Sequence, residues 1–282
     1  MRLVLSRKGF DSSRAFGGCA SPILPDGQML SLPIPHATGR VSYSGLRTRG
    51  LDVGHIVSDL TKNQLSASSL AHLDPDLEAS SRRRQAGWLP AFGQDSIAQR
   101  HLERERVGID DLFLFFGWFK EVALRDGRYR YLASAPDLHV IFGWLRVGEV
   151  LRLGPDPIPQ WLLDHPHASR DCSPHNTVYV SKGPSGAGVF SNFRSQLRLT
   201  EATSTRRSVW RLPSDFLPGA RSPLTYHKAP ARWTKTQDGC RLQSVGKGQE
   251  FVLDLDEYPG VHRWAEAIVT VADRPPTSRS SS

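Results

Sequence analysis

The sequence predicts an α+β protein built around one strongly bent, mostly antiparallel β-sheet or barrel, with helices at its periphery. Three observations point there. Two apolar, aromatic-rich runs, at 111–119 and 139–150, each carry a Phe-Gly-Trp triplet and flank a connection containing Asp126-Gly127. Such runs have the pattern of buried neighbouring strands, and glycines inside strands mark bulges or a close approach of backbone or ligand. Helical periodicity is confined to short stretches near 53–60, 96–106 and 262–272. Between these segments, 24 glycines and 20 prolines supply abundant turn chemistry.

Taken in order, Met1-Arg-Leu-Val-Leu5 is expected as a short buried first strand. It runs into a basic, hydroxyl-rich loop, Ser6-Arg-Lys-Gly-Phe-Asp-Ser-Ser13, and the pair Gly17-Gly18. A loop of this kind after a strand can present backbone amides and an Arg to phosphate, but it lacks the Gly-x4-Gly-Lys-Ser/Thr spacing of a nucleotide-triphosphatase loop. Pro25-Asp26-Gly27 is a turn. Residues 29–35 are expected as an edge strand, because Pro33 and Pro35 cannot donate to a ladder. A helix over 53–60 and the polar His72-Leu-Asp-Pro-Asp76 follow, then a solvated Arg82-Arg83-Arg84 loop. The helix at 96–106 should turn Ile97, His101 and Leu102 to one side and end at Gly108. After the paired runs come a proline-rich link at 153–159, a short segment ending in His165-Pro-His167, strands at 176–180 and 248–254, and the closing helix. No linker composition divides the chain, so one domain is expected over 1–272, with a disordered tail at 273–282.

No apolar run approaches the roughly 18–20 residues of a membrane helix. Leu3-Val-Leu5 before Arg7-Lys8 is too short for a signal-peptide core. Cys19, Cys172 and Cys240 are odd in number and widely spaced, which argues against a disulfide framework and a cysteine zinc site and for a cytoplasmic protein. The net charge of +8 is concentrated: residues 194–247 hold eleven Lys and Arg against three acids, enough to account for the whole excess. Trp210, Phe216, Tyr226, His227 and Trp233 lie among these charges. Cations interleaved with aromatics suit phosphates and stacked bases, so DNA or a nucleotide is the expected partner, with Arg206, Arg207 and Arg211 as phosphate contacts. A solvated basic face would have the same composition.

Three constellations could carry chemistry. Asp74 and Asp76, with His72 beside them, could hold a cation or divide acid and base roles. Asp74-Pro75 also fits a helix cap followed by proline at the first helical position, the more ordinary use of such residues. His165-Pro-His167 could supply two zinc ligands, but no further ligand stands at a telling spacing, so no metal site is expected. Finally, Arg7 and Lys8 could hold phosphate while Asp11 acts on a ribose hydroxyl or as a base, with Glu250 as a spare carboxylate.

Ser6–Ser13, Ser21-Pro-Ile-Leu-Pro-Asp-Gly27, Leu32-Pro-Ile-Pro35, His72–Asp76, Phe92-Gly-Gln94, the two Phe-Gly-Trp runs, His165-Pro-His167 and Gly248-Gln-Glu-Phe-Val252 occur in that order. Together they resemble the third of the bacterial nucleotide-modification-associated domain families, over nearly the whole chain to about Trp264. The Phe-Gly-Trp hairpin looks like the core of small PUA-like barrels that hold a single base. The resemblance implies a setting in DNA-base modification and carries over no catalytic residue or cofactor. Two classes stay open. The first is an enzyme acting on a nucleotide or base, with Asp11, His72, Asp74 and Asp76 as catalytic candidates. The second is a non-catalytic reader that stacks a modified base on Trp118 and Trp144. A cleft rich in carboxylates and histidines favours the enzyme; an aromatic cage with few titratable groups favours the reader.

Overall fold

A computed structural model describes residues 1–270 apart from positions 38, 155, 170–172 and 247. The 273–282 tail, Cys172 and Lys247 lie outside the described residues. The core is a nine-stranded sheet whose main path runs Glu250–Asp254, Arg2–Arg7, Leu112–Arg125, Leu138–Arg152, Thr177–Ser181 and Ala91–Gln94. Ser21–Ile23 and Arg128–Tyr131 pair with Leu112–Arg125, and Ala187–Val189 pairs with Leu138–Arg152. Only the contacts of Leu112–Arg125 with Arg2–Arg7 and with Ser21–Ile23 are parallel. The two aromatic runs are therefore adjacent antiparallel strands, as their composition predicts, with Trp118 opposite His139. The Asp126-Gly127 turn does not join them directly; it leads into Arg128–Tyr131, which folds back on Leu112–Arg125 first.

The glycines of the two triplets mark close approaches. A Cβ on Gly117 would lie 2.7 Å from the Lys8 carbonyl oxygen, and one on Gly143 would lie 2.7 Å from Leu77 Cδ1. The register shifts between Ile141 and Gly143, a bulge that bends the strand. Bending brings the outermost strands within side-chain reach, with Gln94 Nε2 donating to Glu250 Oε1 at 2.6 Å. The sheet nevertheless does not close into a barrel, because no backbone ladder joins Ala91–Gln94 to Glu250–Asp254. Helix Ser96–Arg104 continues from Ala91–Gln94 and packs against Glu250–Asp254, occupying the place of a closing ladder. This corrects the barrel alternative: the sheet is bent but open.

The expected helix at 53–60 is present as Val53–Leu60, with Asp52 accepting from the His55 amide and Val53, Ile56, Val57 and Leu60 buried. The closing helix is Pro259–Thr270. The edge strand expected at 29–35 is absent: prolines interrupt the donors, and only isolated bridges form at Met29 and Pro35. Ser21–Ile23 takes the sheet edge instead. In Ser96–Arg104 the buried residues are Gln99, His101 and Leu102, while Ile97 is 70% exposed and does not join the apolar face. That helix passes through Glu105 at its C-terminal cap, short of Gly108. The basic segment contributes a separate three-stranded sheet, Val209–Leu212, Gly239–Gln243 and Trp233–Thr236, which sinks Trp210 into the core. Among the described residues no helix is long and apolar enough to cross a membrane.

Candidate functional site

A cavity of about 530 Å³ opens beside Leu112–Arg125, between the strands Arg2–Arg7 and Ser21–Ile23 that pair with it in succession. Arg7 stands opposite Phe116 and Ser21 opposite Phe119, so the chain leaves Leu112–Arg125 after one parallel register and rejoins it a few positions later. The intervening loop bulges outward beside Gly117 and Trp118, and its Arg7, Lys8, Asp11 and Phe16 line the cavity. The opposite walls come from His72 and Asp74, from the start of helix Ser96–Arg104, and from 248–250. Loops that meet at strand ends are where rigid sheets collect binding groups.

Positive charge converges here. Arg7 Nη2 donates to the Gly246 and Gly248 carbonyls at 3.0 and 2.9 Å. Burial lowers the pKa of its guanidinium, Asp11 and Glu250 oppose that shift, and nearby Arg207 reinforces it. Lys8 Nζ donates to Glu250 Oε1 at 2.8 Å and lies over the Phe92 ring. Glu250 is 1% exposed, and its Oε2 has no hydrogen-bond partner. A buried carboxylate oxygen left this way is ready for a donor from outside the protein. Arg207 stacks on Trp118 at 4.3 Å, while Trp118 Nε1 donates to Asp137 at 2.7 Å, which fixes the indole. His139 also lines the cavity. Its Nδ1 accepts from Trp210 Nε1 at 3.0 Å, which leaves the neutral ring's proton on Nε2. Burial first, then Arg207 and Arg7, push its pKa down to about 3, so the ring is an uncharged donor at neutral pH.

At one end of the cavity, Asp74 is surrounded by imidazoles. Its Oδ1 accepts from the Gly93 amide at 2.8 Å and faces His165 Nε2 at 3.5 Å. Its Oδ2 faces His167 Nε2 at 3.6 Å and His72 Nε2 at 3.8 Å. The Asp74 side chain is 5% exposed. Burial favours its neutral form, but donation from the facing imidazoles, His165 foremost, outweighs burial and holds the carboxyl well below the usual range. The helix-cap expectation is corrected: no helix starts at Pro75, and the Asp74 carboxylate turns inward to accept from the Gly93 amide. The sequence offered no third partner for the His165-Pro-His167 pair; in the fold, single donor atoms of His72, Asp74 and His167 lie within 4.8 Å of one another. The missing third ligand stands more than ninety positions from His167 in the chain, where no sequence spacing reveals it.

Of the residues the sequence singled out, Arg7, Lys8, Asp11, His72, Asp74, Trp118 and Arg207 line this one cavity. Asp76 does not. It takes a two-pronged ion pair from Arg84, with Nη1–Oδ2 at 2.5 Å and Nη2–Oδ1 at 2.6 Å. Trp144 is buried in the core with its edge against Gly188, so it offers no stacking face to the cavity. Arg211 is tied to Glu201 and Asp238, and Arg206 is exposed elsewhere on the surface. Much of the remaining basic segment is used internally: Arg241 pairs with Glu201, Arg221 donates to several carbonyls, and Arg232 donates to Gln243. Sequence reasoning did not assign His139, His101, Gln94, Ile97 or Phe16 to this site. Among the described residues six large apolar side chains are exposed, and three of them, Phe16, Ile97 and Tyr226, ring this cavity. Such clustering marks a contact surface rather than scattered exposure. The motifs Phe92-Gly-Gln94 and Gly248-Gln-Glu250 held the available signal.

A family model described as nucleotide modification associated domain 3 matches residues 2–254. That stretch runs from the first to the last strand of the main sheet and contains every residue of the cavity. No curated protein and no solved structure matches the chain.

Proposed function

The chain belongs to the nucleotide modification associated domain 3 family, and from this premise we propose that it is an enzyme acting on a nucleotide or on a base of DNA bound in the cavity described above. The observation that carries this proposal is convergence. Arg7, Lys8 and Arg207 share one cavity with the buried Glu250 and the histidine-ringed Asp74. Cations suit the phosphate, and guanidiniums do so through forked donors. The Arg207–Trp118 stack and the Phe16 and Tyr226 rim suit the flat base. Glu250 Oε2 would accept from a base edge or a ribose hydroxyl, and His139 Nε2–H would donate. A volume of about 530 Å³ falls within the usual range of ligand sites.

The balance of groups supports the enzyme over the reader. Four histidines and four carboxylates line the cavity, whereas Trp144, the second half of the expected aromatic cage, packs in the core. Asp74 is too firmly ionised to act as a general acid at neutral pH; its use is to hold a positive group in place.

Calorimetric titration with nucleoside mono- and triphosphates and with single-stranded DNA tests binding, and mass analysis of the incubated ligand tests turnover. Binding that falls at least about tenfold in Arg7→Ala or Arg207→Ala is expected, from the loss of a charged hydrogen bond. Turnover should vanish in Asp74→Asn while binding persists. No binding to any of these ligands would overturn the proposal. Binding without turnover that is indifferent to Asp74→Asn would transfer the case to a reader.

A further inference from the structure

We infer that His72, Asp74 and His167 form a binding site for one borderline divalent transition cation, of the zinc or iron(II) class, with its open coordination positions turned toward the cavity. Hydrogen bonds fix the proton position on the His167 ring. Asn176 Nδ2 donates to the His167 carbonyl at 2.9 Å, which fixes the amide orientation and leaves Asn176 Oδ1 as an acceptor. That oxygen lies 2.7 Å from His167 Nδ1, so Nδ1 must carry the proton. In the neutral ring, His167 Nε2 is then a bare lone pair. It points at Asp74 Oδ2 from 3.6 Å, with the two side chains 3% and 5% exposed. Two acceptors facing each other in a buried site repel unless something positive lies between them.

His165 behaves differently. Its Nδ1 accepts from the His167 backbone N–H at 3.3 Å, so its Nε2 bears the proton and faces Asp74 Oδ1. Oδ1 is thus engaged by the Gly93 amide and faced by a donor, while Oδ2 faces two imidazole Nε2 atoms. One carboxylate oxygen orients the group and the other remains to ligate. Two of the three separations also fit, and the ligand atoms of all three residues lie within 4.8 Å of one another. Ligand atoms each about 2.1 Å from one tetrahedral ion stand roughly 3.4 Å apart. His167 and His72 Nε2 stand 3.6 and 3.8 Å from Oδ2, too far for hydrogen bonds and within a small adjustment of that spacing. The Asn176–His167 pair is the outer support that metal-bound histidines ordinarily have.

Two imidazoles with one carboxylate favour borderline cations over magnesium or calcium, which take oxygen ligands. Three protein ligands leave room for water or a ligand oxygen, and all three residues line the cavity. A second proton on His167 would also relieve the repulsion, and the metal titration distinguishes the two cases. The site stands on its own geometry and not on the nucleotide assignment.

The test uses the full chain, stripped with a chelator and titrated with Co2+ in the absence of nucleotide. Visible absorption reports on coordination, and thermal shift is compared across Zn2+, Co2+ and Mg2+. One equivalent of Co2+ should bind, with stabilisation by Zn2+ and Co2+ but not Mg2+. His167→Ala and Asp74→Asn should lose this binding, and Asn176→Ala should weaken it about 10–100-fold. His55→Ala, which removes an exposed histidine on the Val53–Leu60 helix, should leave it unchanged. The inference is overturned if the wild-type chain binds no Co2+ or Zn2+, a result that needs no variant to fold. It is equally overturned if folded His167→Ala and Asp74→Asn, checked by circular dichroism, bind as wild type does.

Discussion

Gly93→Ala is the substitution through which the strand and the site can be tested together. A Cβ at position 93 would lie 2.3 Å from His167 Cδ2, 2.4 Å from Cγ and 2.8 Å from Nε2. The strand cannot retreat easily, because Gly93 pairs with Val178 and the adjacent Phe92 is packed among Phe113, Phe115 and Tyr179. The imidazole must therefore move by about 1 Å to recover ordinary contact. That shift would stretch its 2.7 Å contact with Asn176 beyond hydrogen-bonding range. Overpacking costs about 1–3 kcal/mol, and an unsatisfied buried polar group adds about 1–3 kcal/mol. A total loss of roughly 2–6 kcal/mol should appear in chemical denaturation, and the melting temperature should fall by roughly 5–20 °C. Co2+ affinity should fall with it, since His167 Nε2 is displaced. A folded Gly93→Ala protein within about 0.5 kcal/mol of wild type, with undiminished Co2+ binding, would refute the placement of His167 against this strand.

Three further perturbations probe the buried histidines, the cavity arginine and the Arg84–Asp76 pair. Burial pushes His139 to about 3 and His227 to about 4, below the ordinary histidine value. The unfolded chain therefore binds more protons in acid; the stability is present above about pH 6.5 and is lost as pH falls toward these values, by up to about 1.4 kcal/mol per pH unit for each ring. Denaturation across pH 4.5–6.5 should show this slope, and His139→Gln should roughly halve it; a flat profile would contradict the buried neutral rings. Arg207→Ala should weaken nucleotide binding about tenfold or more, whereas Arg206→Ala and Arg211→Ala should change it little, because only Arg207 lines the cavity; equal losses in calorimetry would place the phosphate on the outer basic face instead. Arg84→Met should leave the buried Asp76 carboxylate with only the Arg82 guanidinium, 4.0 Å away, and cost roughly 3–5 kcal/mol in denaturation, with ligand affinity per folded molecule unchanged.

The Asp76 and Asp74 comparison shows why the sequence could not rank them. Both follow His72 in one short polar motif, and both are buried carboxylates in the fold. Arg84, eight residues on, claims Asp76, whereas Asp74 meets a glycine amide and histidines from distant segments. Composition is equally blind within the basic segment. Eleven cations counted alike in the sequence, yet Arg211 and Arg241 are spent on Glu201 and Arg221 and Arg232 on carbonyls, while Arg207 turns to Trp118.

By itself, the sequence determined the paired Phe-Gly-Trp strands, the first and last strands, the Val53–Leu60 helix and the family. These depend on local periodicity, turn residues and contiguous motifs, all of which are written along the chain. Tertiary structure alone decided that the curled sheet is left open, with helix Ser96–Arg104 at its seam, and that Trp144 is core while Trp118 is wall. It also decided that Asp74 and His167 meet. Side-chain direction, burial and the distance between remote segments depend on how a sheet bends and which strands it brings together, and a one-residue difference in register or facing exchanges core for cavity.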